Sequence, residues 1–133
     1  MRIDVLGVGF DNLTLDEAAE RGMELLRSGG THYVVTPNPE IVEVCRENPA
    51  AREAVNGAAL VLPDGVGVIK GAAILGTPLK ERVPGVEFAA RIVERMAEEG
   101  RALYLLGAKP GVAEKAAERL RERYPGLRIA GTH

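Results

Sequence analysis

Three predicted corners between a strand and a helix carry the residues that could do chemistry. At the first corner, Asp64 lies between Pro63 and Gly65, directly after the apolar run 58–62. A carboxylate at the end of a buried strand can act as a general base or bind a sugar hydroxyl. Gly65 and Gly67 would let a ligand approach the backbone closely. The alternative is that Asp64 caps the following helix, because aspartate is a preferred N-cap residue.

The second corner is the segment Thr36-Pro37-Asn38-Pro39. The proline after Thr36 favours an extended backbone there, so we expect the threonine hydroxyl to face the crevice and contact a substrate. Asn38 followed by Pro39 is typical of an N-cap and the first residue of a helix. Asn38 is therefore either a capping residue or a substrate contact.

The third corner is a turn, Gly107-Ala108-Lys109-Pro110-Gly111, that leads into a predicted helix. Free amide donors and the positive end of a helix dipole suit a diphosphate. The segment matches neither the dinucleotide fingerprint nor the P-loop. An ordinary turn explains the same residues equally well.

The elements that must position these corners alternate between strands and helices along the whole chain. Strands are predicted over 3–8, 32–35, 58–62, 102–106 and 127–130, and helices after Thr14, Asn38, Asn48 and Asp64 and over 86–99 and 112–124. This alternation predicts an α/β fold, a Rossmann-like parallel sheet with helices on both faces. Right-handed crossovers place the strand-to-helix loops at one edge of such a sheet, so the three corners should meet.

Length and composition predict one ordinary globular domain, residues 1–133. The chain has 46% hydrophobic and 27% charged residues and a net charge of −2, without a lysine-arginine cluster, which argues against a nucleic-acid partner. The single cysteine, Cys45, is expected in the core and excludes an internal disulfide. Two histidines without ligand spacing suggest neither a metal nor a cofactor. No signal peptide or membrane span is visible, which predicts a cytoplasmic location.

Four segments taken together resemble the WecG/TagA/CpsF family of bacterial glycosyltransferases. They are Thr36-Pro37-Asn38-Pro39-Glu40, Leu62-Pro63-Asp64-Gly65-Val66-Gly67, Gly76-Thr77-Pro78-Leu79-Lys80-Glu81-Arg82-Val83-Pro84-Gly85 and Leu106-Gly107-Ala108-Lys109-Pro110-Gly111-Val112-Ala113-Glu114. Their order and spacing match the family, and the resemblance covers essentially the whole chain.

The resemblance implies an inverting transfer of a sugar, typically N-acetylmannosamine, from a UDP donor. The implied acceptor is N-acetylglucosamine on undecaprenyl diphosphate, in teichoic-acid or related envelope polysaccharide synthesis. Asp64 matches the family's proposed base, which would remove the proton of the acceptor 4-hydroxyl, and Thr36 and Asn38 match its threonine and asparagine. The UDP diphosphate would lie at the turn of Gly107, Pro110 and Gly111. Without a metal, its charge would be stabilised by amide donors and a cation, Lys109 or Arg82.

The sequence departs from the family at its end. The family continues past the last strand into further helices and a basic C-terminal part that contacts substrate and the membrane, whereas this chain ends at Gly131-Thr132-His133. We therefore expect a truncated chain with weak or absent turnover, and a peripheral contact with the inner face of the cell membrane through the missing part. Apolar helices left uncovered would favour a homo-oligomer.

Two alternatives to a transferase remain. The first is a non-catalytic α/β module that binds a nucleotide or phosphate, in which Asp64 only caps a helix. The second is a Rossmann oxidoreductase, although Gly7-Val8-Gly9 lacks the third glycine of that fingerprint.

Overall fold

The computed structural model describes all 133 residues and shows a mixed α/β protein with six strands and six helices. The strands are β1 (Arg2–Val5), β2 (Val8–Asp11), β3 (Val34–Val35), β4 (Leu60–Val61), β5 (Ala102–Leu105) and β6 (Arg128–Thr132). The helices are α1 (Leu15–Arg27), α2 (Pro39–Glu47), α3 (Pro49–Asn56), α4 (Val66–Ile74), α5 (Gly85–Glu98) and α6 (Val112–Arg123). The α/β class and the order of the helices are confirmed. None of these helices combines the length and apolar character needed to cross a bilayer.

The strands form three separate two-stranded sheets, where the sequence predicted one parallel sheet. β3 pairs with β4 and β5 with β6, both in parallel, whereas β1 and β2 form an antiparallel hairpin. The strand predicted over 3–8 is therefore confirmed over residues 3–5 and wrong beyond them, where the chain turns and begins β2. Leu6 and Gly7 have φ of 52° and 96°, and two consecutive positive φ values are typical of the tight type I′ hairpin turn. The turn was not predicted because Leu6 is apolar and therefore extends the apolar run that was assigned to a strand.

The strand predicted as buried over 102–106 is packed on one face only. Leu103 and Leu105 are half-buried, whereas Ala102, Tyr104 and Leu106 are exposed. Alternation of this kind is the signature of a strand whose second face has no cover in the chain. The two-residue strands β3 and β4 are also shorter than the predicted runs.

The chain divides into two compact units, Met1–Phe88 and Ala89–His133. The largest core of the first unit includes Phe10, Val61 and Cys45, which confirms the core position predicted for the cysteine. The core of the second unit is built around Val93, Met96 and Leu127. Each unit thus has its own apolar cluster.

The helix starts follow the predicted capping signals. Thr14 and Glu17 form a reciprocal capping box at the start of α1. The side chains of Asn38 and Asn48 accept hydrogen bonds at the starts of α2 and α3, each followed by a proline in the first turn. These local signals are confirmed because a cap needs only residues within one turn of each other.

The connector between α4 and α5 is fastened to the start of α1. The Lys80 amide donates to Asn12 Oδ1 at 2.8 Å, and the Leu15 amide donates to Glu81 Oε1 at 2.5 Å. The Lys80 ammonium also pairs with the Glu17 carboxylate at 3.2 Å. The connector has no helix or strand up to Pro84, and α5 begins at Gly85.

A carboxylate on β2 holds β4 from the side opposite β3. Asp11 Oδ2 accepts from the Val61 amide at 2.8 Å, and the same carboxylate pairs with Arg2 at 3.4 Å. The Arg2 guanidinium also donates to the carbonyls of Asn56 and Ala58 at 2.7 and 2.6 Å. This network fixes the strand that leads into the Asp64 corner.

We expect Asp11→Ala to lower the free energy of unfolding by about 2 kcal/mol, because it leaves the Val61 amide without its acceptor and removes the carboxylate that pairs with Arg2. Urea denaturation measures the change. Asp4→Ala is the control: Asp4 is exposed in the same hairpin, and its only amide contact is a long 3.5 Å. Equal losses for both variants would show that Asp11 does not brace β4.

The capping hydrogen bond from the Thr14 amide and the nearby Lys80 ammonium lower the pKa of the Glu17 carboxyl below its ordinary value. A lowered pKa in the folded state means that the stabilisation is present at neutral pH and is lost as the pH falls through that pKa. We expect the stability difference between the unchanged chain and Glu17→Gln to shrink on acidification. Unfolding curves from about pH 7 to about pH 3 test this, and a difference independent of pH would contradict it.

Candidate functional site

The backbone at Asp64 is held by two other segments. The Asp64 amide donates to the Pro37 carbonyl at 3.2 Å, and the Val83 amide donates to the Pro63 carbonyl at 2.7 Å. Leu62 and Pro63 are fully buried just before it. The corner predicted at Asp64 is thus joined to the corner at Thr36 and to the end of the connector.

The Asp64 side chain does not cap its own helix. Gly65 is the N-cap residue of α4, and no side chain accepts a hydrogen bond there. Asp64 Oδ2 instead accepts from the amide of Gly85, the first residue of α5, at 3.3 Å. Its Oδ1 has no hydrogen-bond donor in the chain. The capping alternative for α4 is therefore wrong, and one carboxylate oxygen remains open on a half-buried side chain.

The Thr36 side chain lies at the same glycine. A Cβ built on Gly85 would be 2.9 Å from Thr36 Oγ1 and 3.5 Å from Thr36 Cγ2. The predicted hydroxyl and the predicted carboxylate therefore both border one backbone position. The sequence pattern did not single out Gly85, because Thr36 is distant in sequence and contacts it only after folding.

Asn38 acts as a cap in this structure. Its Oδ1 accepts from the Ile41 amide at 3.0 Å, which accounts for the residue by local structure. The side-chain nitrogen has no partner in the chain. A contact between Asn38 and substrate stays a prediction.

The glycines after Asp64 are explained partly by packing. A Cβ on Gly65 would be 3.3 Å from Pro39 Cδ, and one on Gly67 would be 2.8 Å from Pro39 Cγ. Gly65 also has φ of 98°, a conformation that favours glycine. The close approach that we predicted for a ligand is made here by Pro39, and ligand binding at Gly65 stays a prediction.

Arg82 is an exposed cation whose two chain neighbours make hydrogen bonds to other segments. The Glu81 carboxylate before it accepts from the Leu15 amide, and the Val83 amide after it donates to the Pro63 carbonyl. The Arg82 guanidinium itself has no partner in the chain. The Val83 hydrogen bond places the connector backbone beside the Asp64 corner, and anion binding by Arg82 stays a prediction.

The predicted glycine-proline turn belongs to the second unit and lines a cavity of about 440 Å³. The cavity wall includes all four predicted residues together with polar side chains of the last strand and of α6: Gly107, Lys109, Pro110, Gly111, Glu114, Thr132 and His133. Gly111 is the N-cap residue of α6 and no side chain caps this helix, so the amides of Ala113 and Glu114 have no side-chain acceptor, whereas the Val112 amide donates to the Lys109 carbonyl at 3.1 Å. The meeting of this turn with the Asp64 corner stays a prediction.

A carboxylate and a hydroxyl thus meet at the start of α5, and Arg82 lies three positions earlier in the chain. A carboxylate with an open oxygen can accept a proton, and a cation can stabilise a leaving anion. No group of three or more His, Cys, Asp or Glu side chains is placed to hold a metal ion.

Comparison with known proteins identifies the class to which this arrangement belongs. The sequence profile described as the glycosyl transferase WecG/TagA/CpsF family matches residues 3–133. The match covers nearly the whole chain, and the chain belongs to this family.

Similar proteins carry a more specific name. Proteins of Staphylococcus aureus strains NCTC 8325, COL and MRSA252 are each 34% identical over 134 aligned residues, which cover 99% of this chain and 53% of theirs. Each is named an N-acetylglucosaminyldiphosphoundecaprenol N-acetyl-beta-D-mannosaminyltransferase. The chain therefore spans about half the length of these relatives.

If Asn38 contributes chiefly as a cap, Asn38→Ala should lower the free energy of unfolding by about 1 kcal/mol, and Asn38→Ser should retain most of the stability. Asn48→Ala is a matched control, since Asn48 Oδ1 accepts from the Ala51 amide at 3.1 Å in the same way. Chemical denaturation of the three variants gives the comparison. A negligible loss for Asn38→Ala beside a normal loss for Asn48→Ala would reject capping as its main role.

Proposed function

We propose that residues 1–133 form an inverting glycosyltransferase domain that moves a sugar, N-acetylmannosamine, from a UDP donor. The acceptor is N-acetylglucosamine linked to undecaprenyl diphosphate, in teichoic-acid or related cell-envelope polysaccharide synthesis. The observation that carries the proposal is that Asp64 and Thr36 converge on Gly85, with one Asp64 oxygen left open. The membership in the family and the names of the relatives support it.

The open oxygen of Asp64 acts as the general base. It takes the proton of the acceptor hydroxyl as that oxygen forms a bond to the anomeric carbon of the donor. The bond between the anomeric carbon and the diphosphate oxygen breaks, and UDP leaves with the electron pair. Attack on the face opposite the leaving group inverts the anomeric centre.

The remaining predicted residues bind substrate in this scheme. Thr36 orients the reacting sugar beside Asp64, and the side-chain nitrogen of Asn38 and the backbone at Gly65 contact substrate. Arg82 is free to stabilise the negative charge of the departing diphosphate. No metal is required in this scheme.

The diphosphate is placed at the turn of Gly107, Lys109, Pro110 and Gly111. The cavity at this turn and the open amides of α6 support the assignment.

The lipid-linked acceptor places the reaction at the inner face of the cell membrane. We infer a peripheral contact there and self-association of the chain. Exposed apolar side chains such as Ile74 and Leu106, at 84% and 78%, support an association surface. The relatives are about twice as long as this chain, so the activity of the whole protein is a proposal for it.

A non-catalytic module that binds a nucleotide or phosphate is the second candidate. The observation that favours it is the hydrogen bond between Asp64 and Gly85, because that bond alone gives the carboxylate a structural role. In that case the open oxygen of Asp64 and the Thr36 hydroxyl would take no part in catalysis.

Asp64→Asn separates the two candidates, because the amide oxygen of asparagine can still accept from Gly85 while the base is lost. We expect sugar transfer to fall about 10³-fold, within the range for loss of a general base. UDP affinity and the free energy of unfolding should stay within about 0.5 kcal/mol of the unchanged chain.

The measurements are transfer from UDP-N-acetylmannosamine to a soluble acceptor analogue, isothermal titration with UDP, and urea denaturation. Asp4→Asn, which changes an exposed carboxylate in the β1–β2 hairpin, is the control for loss of charge. Normal transfer by Asp64→Asn would reject the base assignment. UDP binding without any transfer by the unchanged chain would favour the second candidate.

A further inference from the structure

We propose that Gly85 is a positioning residue for sugar transfer, a role that rests on the proposed function. Its missing side chain makes room for the Thr36 hydroxyl, and its amide holds one oxygen of Asp64. The two groups proposed to act on the acceptor are thereby both placed next to one backbone position.

The amide contact orients the carboxylate. The first amides of a helix have no acceptor within the helix, so Asp64 Oδ2 satisfies the Gly85 amide at the start of α5. Oδ1 is left without a donor and stays available to the acceptor hydroxyl. This contact uses only the backbone, so an alanine at position 85 would retain the amide donor.

The requirement for glycine comes from space and not from backbone conformation. A Cβ at position 85 would be 2.9 Å from Thr36 Oγ1, a distance that real Cβ atoms essentially never show, and the backbone of Gly85 is outside the region of positive φ. Thr36 has little freedom to retreat, because the next residue, Pro37, is fully buried and its carbonyl accepts from the Asp64 amide. An added methyl group would therefore displace the Thr36 side chain or separate α5 from Asp64.

The first test is the kinetics of Gly85→Ala in the full chain, with UDP-N-acetylmannosamine and a soluble acceptor analogue. We expect kcat to fall about a hundredfold, as for a displacement of about 1 Å at a reacting group. The KM of the donor should change by less than about twofold, because only the reacting geometry is altered. Gly71→Ala is the matched control: its Cβ would meet only Val5 Cγ1, at an ordinary 3.8 Å, inside α4.

The second test is a double-mutant cycle with Thr36→Ala, which removes the atom that the new methyl group would meet. In the unchanged chain, Gly85→Ala should lower both kcat and the melting temperature. In the Thr36→Ala background, the same substitution should lower kcat and the melting temperature much less. Should Gly85→Ala fail to fold, the double variant must fold if the contact with Thr36 is the cause. Losses that simply add, or a double variant that also fails to fold, would overturn the inference.

The two proposals fail in different ways. No transfer by the unchanged chain would count against the proposed function, while the melting temperatures of the cycle would still test the contact between position 85 and Thr36. Transfer by the unchanged chain together with an unaltered kcat in Gly85→Ala would reject the positioning role alone.

Discussion

The hydrogen bond between the Gly85 amide and the Asp64 carboxylate is the contact on which the site depends. It joins the end of a buried strand to the start of α5, across 21 positions of sequence. The strand is braced by Asp11 through the Val61 amide, and the connector before Gly85 is fastened to the start of α1 through Glu81. The carboxylate is therefore held by a frame of backbone contacts, which keeps one of its oxygens open.

Three glycines near the Asp64 corner are required for three different physical reasons. Gly65 has a positive φ. A side chain at position 67 would clash with the proline ring at the start of α2, and a side chain at position 85 would clash with the Thr36 hydroxyl. A sequence shows only that each position has no side chain. The structure separates backbone conformation from close packing against a ring and from clearance beside the Thr36 hydroxyl, to which the proposal assigns a role.

The parts of the fold that depend on local signals were predictable from the sequence. The Thr14–Glu17 capping box and the asparagine-proline helix starts are confirmed, since the residues that make them are neighbours along the chain. The residues Thr36 and Asp64 were also identified correctly as neighbours in space, through the rule that strand-to-helix loops share an edge.

The remaining features have no local signal. The β1–β2 turn is hidden by an apolar leucine, and the bond between Asp11 and the Val61 amide joins residues 50 positions apart. The role of Gly85 was missed because it is defined by Thr36, which lies far away in sequence and contacts it only after folding. The one-sided packing of β5 was missed because a run of apolar residues does not tell how many faces are covered.

The most direct test of the account is a crystal structure of the chain with UDP and an acceptor analogue bound. The account predicts that the acceptor hydroxyl lies within about 3.2 Å of the open oxygen of Asp64, with the Thr36 hydroxyl beside the same sugar. It also predicts that Gly85 still donates to the other oxygen of Asp64. An acceptor bound away from Asp64, or an Asp64 with both oxygens engaged by protein donors, would contradict the central claim.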